Sequence, residues 1–227
     1  RMMQEQEDVY YYVTVMNENY THPEMPAGVE LDIIKGMYLF RDSGLGHRDS
    51  AKAKGKAANV PCVQLLGSGT ILREVIAAAE LLEKDFGVAS DIWSCPSFSE
   101  LRRDGFDVER WNRLHPMDKT PRKAHVTACL DGRAGPVIAA TDYVREYADQ
   151  VRAFMPDGKR YVVLGTDGYG RSDSRANLRS FFEVDRYWIA QAAISALASE
   201  GKMNPEDVAR AIKQWKLDPD KPNPTTV

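Results

Sequence analysis

Apolar residues follow two different periods along this chain, and the alternation between them predicts its elements. Short apolar runs rich in β-branched residues occupy 60–66, 88–93, 136–140 and 161–164. Their composition, bounded by turn residues, predicts strands. Between them, apolar positions recur at three- and four-residue spacing, the helical repeat. Ile71, Leu72, Val75, Ile76, Ala79 and Leu82 make one such stripe, closed by Lys84 and Gly87. Ser97 with Glu100 predicts a capping box and a helix to about residue 104, and Asp107 a further turn or two through Trp111. Thr141 or Asp142 is expected to cap a helix with Tyr143, Val144, Tyr147, Val151 and Phe154 inward.

Three helices follow the strand at 161–164. One is expected over 174–182. The next runs from Asp185 to Gly201 with Ile189, Ala193, Ile194 and Leu197 inward. The last is capped by Asn204, has Pro205 at its first position, and turns Val208, Ala211, Ile212 and Trp215 inward. Pro219, Pro222 and Pro224 keep the tail from continuing it. Residues 122–130 fit helix or strand equally. Upstream, 9–16 (VYYYVTVM) reads as a strand, 17–26 as a loop, 29–36 as a short helix and 37–40 as a short strand. Residues 42–59 are of low complexity, with no apolar period, and are expected to be mobile or disordered. The whole predicts an α/β fold of three layers: a mostly parallel sheet of about five strands with an antiparallel edge, helices on both faces and right-handed crossovers.

Composition narrows the classes. In 227 residues, 43% are hydrophobic and 28% charged, and the net charge is −3. No global basic field points to nucleic acid or an anionic membrane. No apolar run approaches the ~20 residues that span a bilayer. The opening residues, Arg1 to Asp8, carry no apolar core for a secretory signal, and the start reads as if cut from something longer. Cys62, Cys95 and Cys129 are odd in number and far apart. That argues for a reducing compartment, here the cytoplasm, and for buried thiols rather than disulfides.

Candidate chemistry gathers where strands end. The strand at 161–164 delivers Gly165-Thr-Asp-Gly-Tyr-Gly-Arg-Ser-Asp-Ser-Arg175 to the carboxyl edge of the sheet, where open α/β folds place function. Asp167, Tyr169, Arg171, Ser172, Asp173 and Arg175 are therefore the candidate ligand or interface loop. Arg171 and Arg175 could hold an anion, or pair with Asp167 and Asp173 to lock the loop; the three glycines serve either reading. Gly67-Ser-Gly-Thr70 opens the first helix of the domain, so Ser68 and Thr70 are either anion-binding or capping residues. Glu18, Asp142 and Asp167 lie at strand ends without a paired base, so no acid–base role is assigned. His125 and Cys129 share a helical face, but two ligands do not make a zinc site. His22 and His115 read as loop or capping residues, and His47 lies in the 42–59 stretch. No catalytic, cofactor-binding or metal-binding residue is assigned.

Three segments together resemble a known family: 9–20 (VYYYVTVMNENY), 64–70 (QLLGSGT) and 164–175 (LGTDGYGRSDSR). Trp111 to Pro116 and Ala140 to Tyr143 fit as well. They are similar, in order, to the carboxyl-terminal portion of the homodimeric bacterial pyruvate dehydrogenase first component. The resemblance implies a transketolase C-terminal-like domain over 60–227, a flexible insertion over 42–59 that is longer than the family's usual connector, and, over 1–41, the end of a preceding pyrimidine-binding domain with its linker. It implies a parent enzyme that uses thiamine diphosphate and magnesium to decarboxylate pyruvate and acetylate the lipoyl group of dihydrolipoyl acetyltransferase. That family holds magnesium and diphosphate with Gly-Asp-Gly and a later Asn-Asn, and neither occurs in this chain. The piece is therefore expected to be inactive alone and to support the dimer and the active-site rim. Two other roles are a regulatory module for a small anion or nucleotide, and a docking surface for the acetyltransferase.

Overall fold

The computed structural model describes residues 1–13, 18–45 and 60–227. The elements are α1 (Glu30–Ile34), β1 (Tyr38–Arg41), β2 (Cys62–Gly67), α2 (Ile71–Phe86), β3 (Ala89–Ser94), α3 (Phe98–Leu114), α4 (His125–Leu130), β4 (Val137–Ala140), α5 (Arg145–Asp149), β5 (Tyr161–Leu164), α6 (Arg175–Phe181), α7 (Arg186–Ser199) and α8 (Pro205–Gln214). The five strands form one sheet in the order β1-β3-β2-β4-β5. β2, β3, β4 and β5 pair in parallel, and β1 runs antiparallel along the edge of β3.

Each face of the sheet is covered by helices. On one, Val63, Leu65, Ile92 and Ile138 pack with Val75, Leu82, Ile189 and Ile194 from α2 and α7, with α8 outside them. On the other, Leu66, Trp93, Val137 and Tyr161 pack with Leu101, Val126, Ala148 and Phe154 from α3, α4, α5 and the 3-10 turn Arg152–Phe154. All six residues of β2 and all four of β4 are buried, as expected for parallel strands covered on both sides.

Some local expectations need correction. Residues 9–13 form no strand; Tyr10 and Tyr12 are each 88% exposed, because no strand among the described residues pairs with them. Residues 14–16 of that predicted strand lie outside the described residues, as do 46–59 of the low-complexity stretch. The first part of that stretch is tied down, since the Ser43 amide and hydroxyl donate to Asp91 Oδ1 at 2.9 and 2.7 Å. α3 is one continuous helix through Gly105 rather than two. Only half of its capping box forms: Ser97 Oγ accepts the Glu100 amide, while the Glu100 carboxylate pairs with Arg103. The helix expected from 142 breaks into α5 and the 3-10 turn, with Tyr143, Val144 and Tyr147 half-exposed. Residues 122–130 resolve as helix α4.

Candidate functional site: the carboxyl edge of the sheet

β5 ends where Gly165 lets the chain pass against α5. A Cβ on Gly165 would lie 2.8 Å from the Arg145 amide nitrogen, so any side chain there collides with backbone. The close passage brings Asp167 to α5. Its Oδ1 accepts the Arg145 amide at 2.8 Å, and its Oδ2 lies 3.0 Å from Arg145 Nε. The loop then turns at Gly168, whose φ is +92°, against the carbonyl of Pro224 in the tail. Tyr169 stands at the tip, 89% exposed, and Ser172 is exposed beside it.

The second half of the loop starts α6. Ser174 Oγ accepts the Asn177 amide at 3.3 Å, and Asp173 Oδ1 accepts the Ser174 amide and Asn177 Nδ2 at 2.6 and 2.8 Å. Arg171, Arg175 and Arg179 follow at four-residue steps, which puts the two helical ones on one face. The Arg171 guanidinium lies 4.5 Å from the centre of the Phe181 ring and makes no hydrogen bond or ion pair among the described residues. Arg175 Nε lies 2.8 Å from Glu18 Oε1, and Tyr20 donates to Glu18 Oε2 at 2.8 Å. Hydrogen bonding to Arg175 and Tyr20 holds the Glu18 carboxyl below the usual carboxylate range and raises the Arg175 guanidinium in turn. Arg179 reaches Glu74 of α2 at 3.2 Å, and Arg186 holds both Glu74 oxygens at 2.9 and 3.1 Å.

The locking pairs expected within the loop are therefore replaced by others. Asp167 is turned toward α5, and Asp173 is taken up by the Ser174 amide and the Asn177 side chain. Arg145, Arg179 and Glu74 were missed. Arg179 had a signal, the four-residue arginine spacing; Arg145 had none. At the other strand end, neither Ser68 nor Thr70 caps α2. Ser68 Oγ donates to Thr141 Oγ1 at 2.8 Å, and Thr70 Oγ1 lies 3.4 Å from Asp142 Oδ2.

These contacts border a crevice. β2 and β4 are neighbours, but the chain leaves β2 through α2 on one face and β4 through α5 on the other. That is a topological switch point, where open α/β sheets bind ligands. The cavity there measures about 230 Å³ and is lined by Thr70, Asp142, Thr166, Arg171, Arg175 and Arg179, among others. Thr70 also borders a cleft of about 960 Å³ beneath residues 18–23.

Among the described residues, the histidines and cysteines gather no metal centre. His125 and Cys129 do share a face, 3.5 Å apart, but His125 Nε2 also lies 2.9 Å from the Met37 carbonyl. Burial pushes the Cys129 and Cys62 thiols up to about 11, away from reactive thiolates. His115 ends α3, stacked 3.8 Å from Trp111. His22 lines the larger cleft, and His47 lies outside the described residues. No group of three or more His, Cys, Asp or Glu stands ready for a metal among the described residues. With Gly-Asp-Gly and Asn-Asn also missing from the sequence, the residues present do not fit a magnesium–diphosphate group. No helix among the described residues is long and apolar enough to cross a membrane.

The sheet and its edge crevice define an open α/β domain. Residues 50–185 match the family model of the transketolase-like TK C-terminal domain, and the chain belongs to that family. Over its whole length it is 63% identical to a pyruvate dehydrogenase E1 component of Cupriavidus necator, covering 24% of that protein. It is 57% identical to the E1 component of Pseudomonas aeruginosa over 99% of this chain, and 48% identical to that of Escherichia coli over 97%, covering 24% and 23% of those proteins. The chain thus spans about a quarter of the length of these relatives. A transketolase structure from Campylobacter jejuni superposes with a TM-score of 0.43 at 20% identity, over 72% of this chain and 19% of that one.

Proposed function

We propose that this chain is the carboxyl-terminal, non-catalytic portion of a pyruvate-decarboxylating, acetyl-transferring first component of a pyruvate dehydrogenase complex. The observation that carries the reading is 63% identity, over the whole chain, to a protein named as that component. In this reading residues 1–41 finish a preceding pyrimidine-binding domain and its linker, which enters the sheet as β1. Residues 42–59 are an insertion, and 60–227 form the last domain. Its role is to support a homodimer and shape the rim of an active site built elsewhere, in the cytoplasm, with dihydrolipoyl acetyltransferase as the downstream partner. Thiamine diphosphate and magnesium belong to the upstream portion.

Titration of the 227-residue chain with thiamine diphosphate and magnesium should give no saturable heat, and the chain alone should not consume pyruvate. Stoichiometric cofactor binding or pyruvate turnover by this piece would overturn the reading. The coding sequence upstream of Arg1 should contain Gly-Asp-Gly followed by Asn-Asn.

A further inference from the structure

We propose that residues 218–227 are a clamp on the connection between β5 and α6, and that Lys221 is the positioning residue that closes it. The clamp grips that connection at two places well apart along it. One is the last turn of α6. Lys221 Nζ donates to the carbonyls of Ser180 and Phe181 and pairs with Glu183 Oε1 at 3.2 Å. The last carbonyls of a helix lack amide partners within it, and a cation there also meets the negative end of the helix dipole. The other grip is the turn at Gly168. A Cβ on Gly168 would lie 2.8 Å from the Pro224 carbonyl oxygen, and Pro224 is buried while Asn223 and Thr225 on either side are exposed.

The chain between the two grips is stiff. Lys221-Pro222-Asn223-Pro224 carries two prolines, each of which fixes its own φ and restricts the residue before it. Asn223 then locks the exit. Its Oδ1 accepts the Thr225 amide and hydroxyl at 3.0 and 2.8 Å, and its carbonyl accepts the Thr226 amide and hydroxyl, both at 2.9 Å. A stiff bar does not move at one end alone, so Lys221 and Pro224 hold or release together. Phe181 adds a third link. Its ring centre lies 4.5 Å from the Arg171 guanidinium and 5.4 Å from Lys221 Nζ, so loop, helix end and tail meet on one side chain.

The end of α6 is itself held in an uncommon shape. Glu183 has a φ of +62°, the left-handed conformation that glycine usually takes after a helix. Another residue keeps it only where the surroundings fix it, and here Lys221 holds its carboxylate. Lys221 is no free surface lysine: its side chain is 18% exposed, and Nζ also lies 5.0 Å from the centre of the Trp188 ring. With the clamp closed, Tyr169 to Arg175 is held from both ends. With Lys221 withdrawn, the Gly168 turn and the last turn of α6 loosen as one unit. The clamp stands on this geometry and does not depend on the pyruvate dehydrogenase reading.

The test is Lys221→Met in the 227-residue chain, which keeps most of the stem and removes the ammonium. Native-state chymotrypsin digestion reads the loop through the cut after the exposed Tyr169, identified by mass. That cut should become about tenfold faster. Hydrogen exchange reads the helix end at the Phe182 and Val184 amides, which donate to the Leu178 and Arg179 carbonyls at 2.9 Å. Those amides should also exchange about tenfold faster. Gly168→Ala probes the other end: its Cβ displaces Pro224, and the same two α6 amides should exchange at least about threefold faster. Lys119→Met, at an exposed lysine beyond α3, should change neither readout. Circular dichroism checks that each variant is folded. A Lys221→Met variant that loosens the helix end but leaves the cut at Tyr169 at the wild-type rate overturns the clamp. So does a Gly168→Ala variant with unchanged α6 amides, or a Lys119→Met variant that loosens either place. The first two variants act at opposite ends of the bar, so if one does not fold the other decides. Neither readout involves thiamine diphosphate or pyruvate, so failure here is separable from failure of the enzyme reading.

Discussion

At the scale of single residues, Glu74 ties α2 to the arginines of α6 and α7. Its side chain is 8% exposed and takes guanidinium bonds from both Arg179 and Arg186. Burial raises this carboxyl, but the Arg186 hydrogen bonds and charge, with help from Arg179, outweigh burial and hold it below 4.5. A carboxyl lower in the folded state than in the unfolded one adds stability above its unfolded value, and that stability is lost as pH falls through the folded value. Glu74→Gln should therefore cost about 2 kcal/mol at neutral pH, less than a fully buried pair because Arg186 is half-exposed. The gap from wild type should narrow as pH drops below 4.5. Denaturant melts at several pH values read it directly, and a constant gap would refute the assignment. Asp185 runs the other way, since burial raises its carboxyl despite the amides it caps, so it does not account for the same acid limb. Gly105 in α3 sets two effects against each other. Alanine gains about 1 kcal/mol of helix propensity, but its Cβ would lie 2.4 Å from the Phe154 ring, and overpacking costs about 1–3 kcal/mol. Gly105→Ala should be net destabilising in thermal melts; a more stable variant would mean that Phe154 moves aside freely.

At the scale of elements, the sequence could be read where one stretch of chain supplies the whole reason for its structure. The stripe of α2, the Gly87 stop, the Ser174 and Asp185 caps and the Asn204-Pro205 start are all local devices, and all formed. Reading failed where the reason lies far away in sequence. Asp142 looks like a helix cap, yet the α5 amide is satisfied by Asp167, 22 positions on. Residues 9–13 have strand composition but, among the described residues, no strand to pair with. Gln64 interrupts an apolar strand because its amide donates to Asp91 at 2.8 Å and its oxygen accepts from Trp93 at 2.9 Å, a buried network between β2 and β3. At the candidate site, strand-end glycines and the loop arginines were legible. The partners of those arginines, Glu18 and Glu74, were not, since pairing across folded layers leaves no sequence spacing. The distant cap is itself testable. Asp167→Ala should speed hydrogen exchange at the Arg145 amide by at least about tenfold while leaving β5 protection intact. An unchanged Arg145 amide would mean that the loop is held by other contacts.

At the scale of the whole molecule, stability and association separate along the chain. The two cores lie on either face of one sheet, and among the described residues none of their members comes from upstream of Met37. The first thirteen residues contribute exposed surface instead: Tyr10, Tyr11, Tyr12 and Val13 are 88, 62, 88 and 75% exposed. Such a segment contributes almost nothing to the fold that carries it. Deleting residues 1–13 should therefore leave the thermal midpoint within about 2 °C of the full chain, since 1 kcal/mol shifts a domain of this size by about 2–4 °C. The same deletion should lower any concentration-dependent self-association seen by sedimentation, because the exposed tyrosines go with it. A midpoint that falls by more than about 5 °C would show that the segment packs on the domain after all, and would move those aromatic residues from the association ledger to the core.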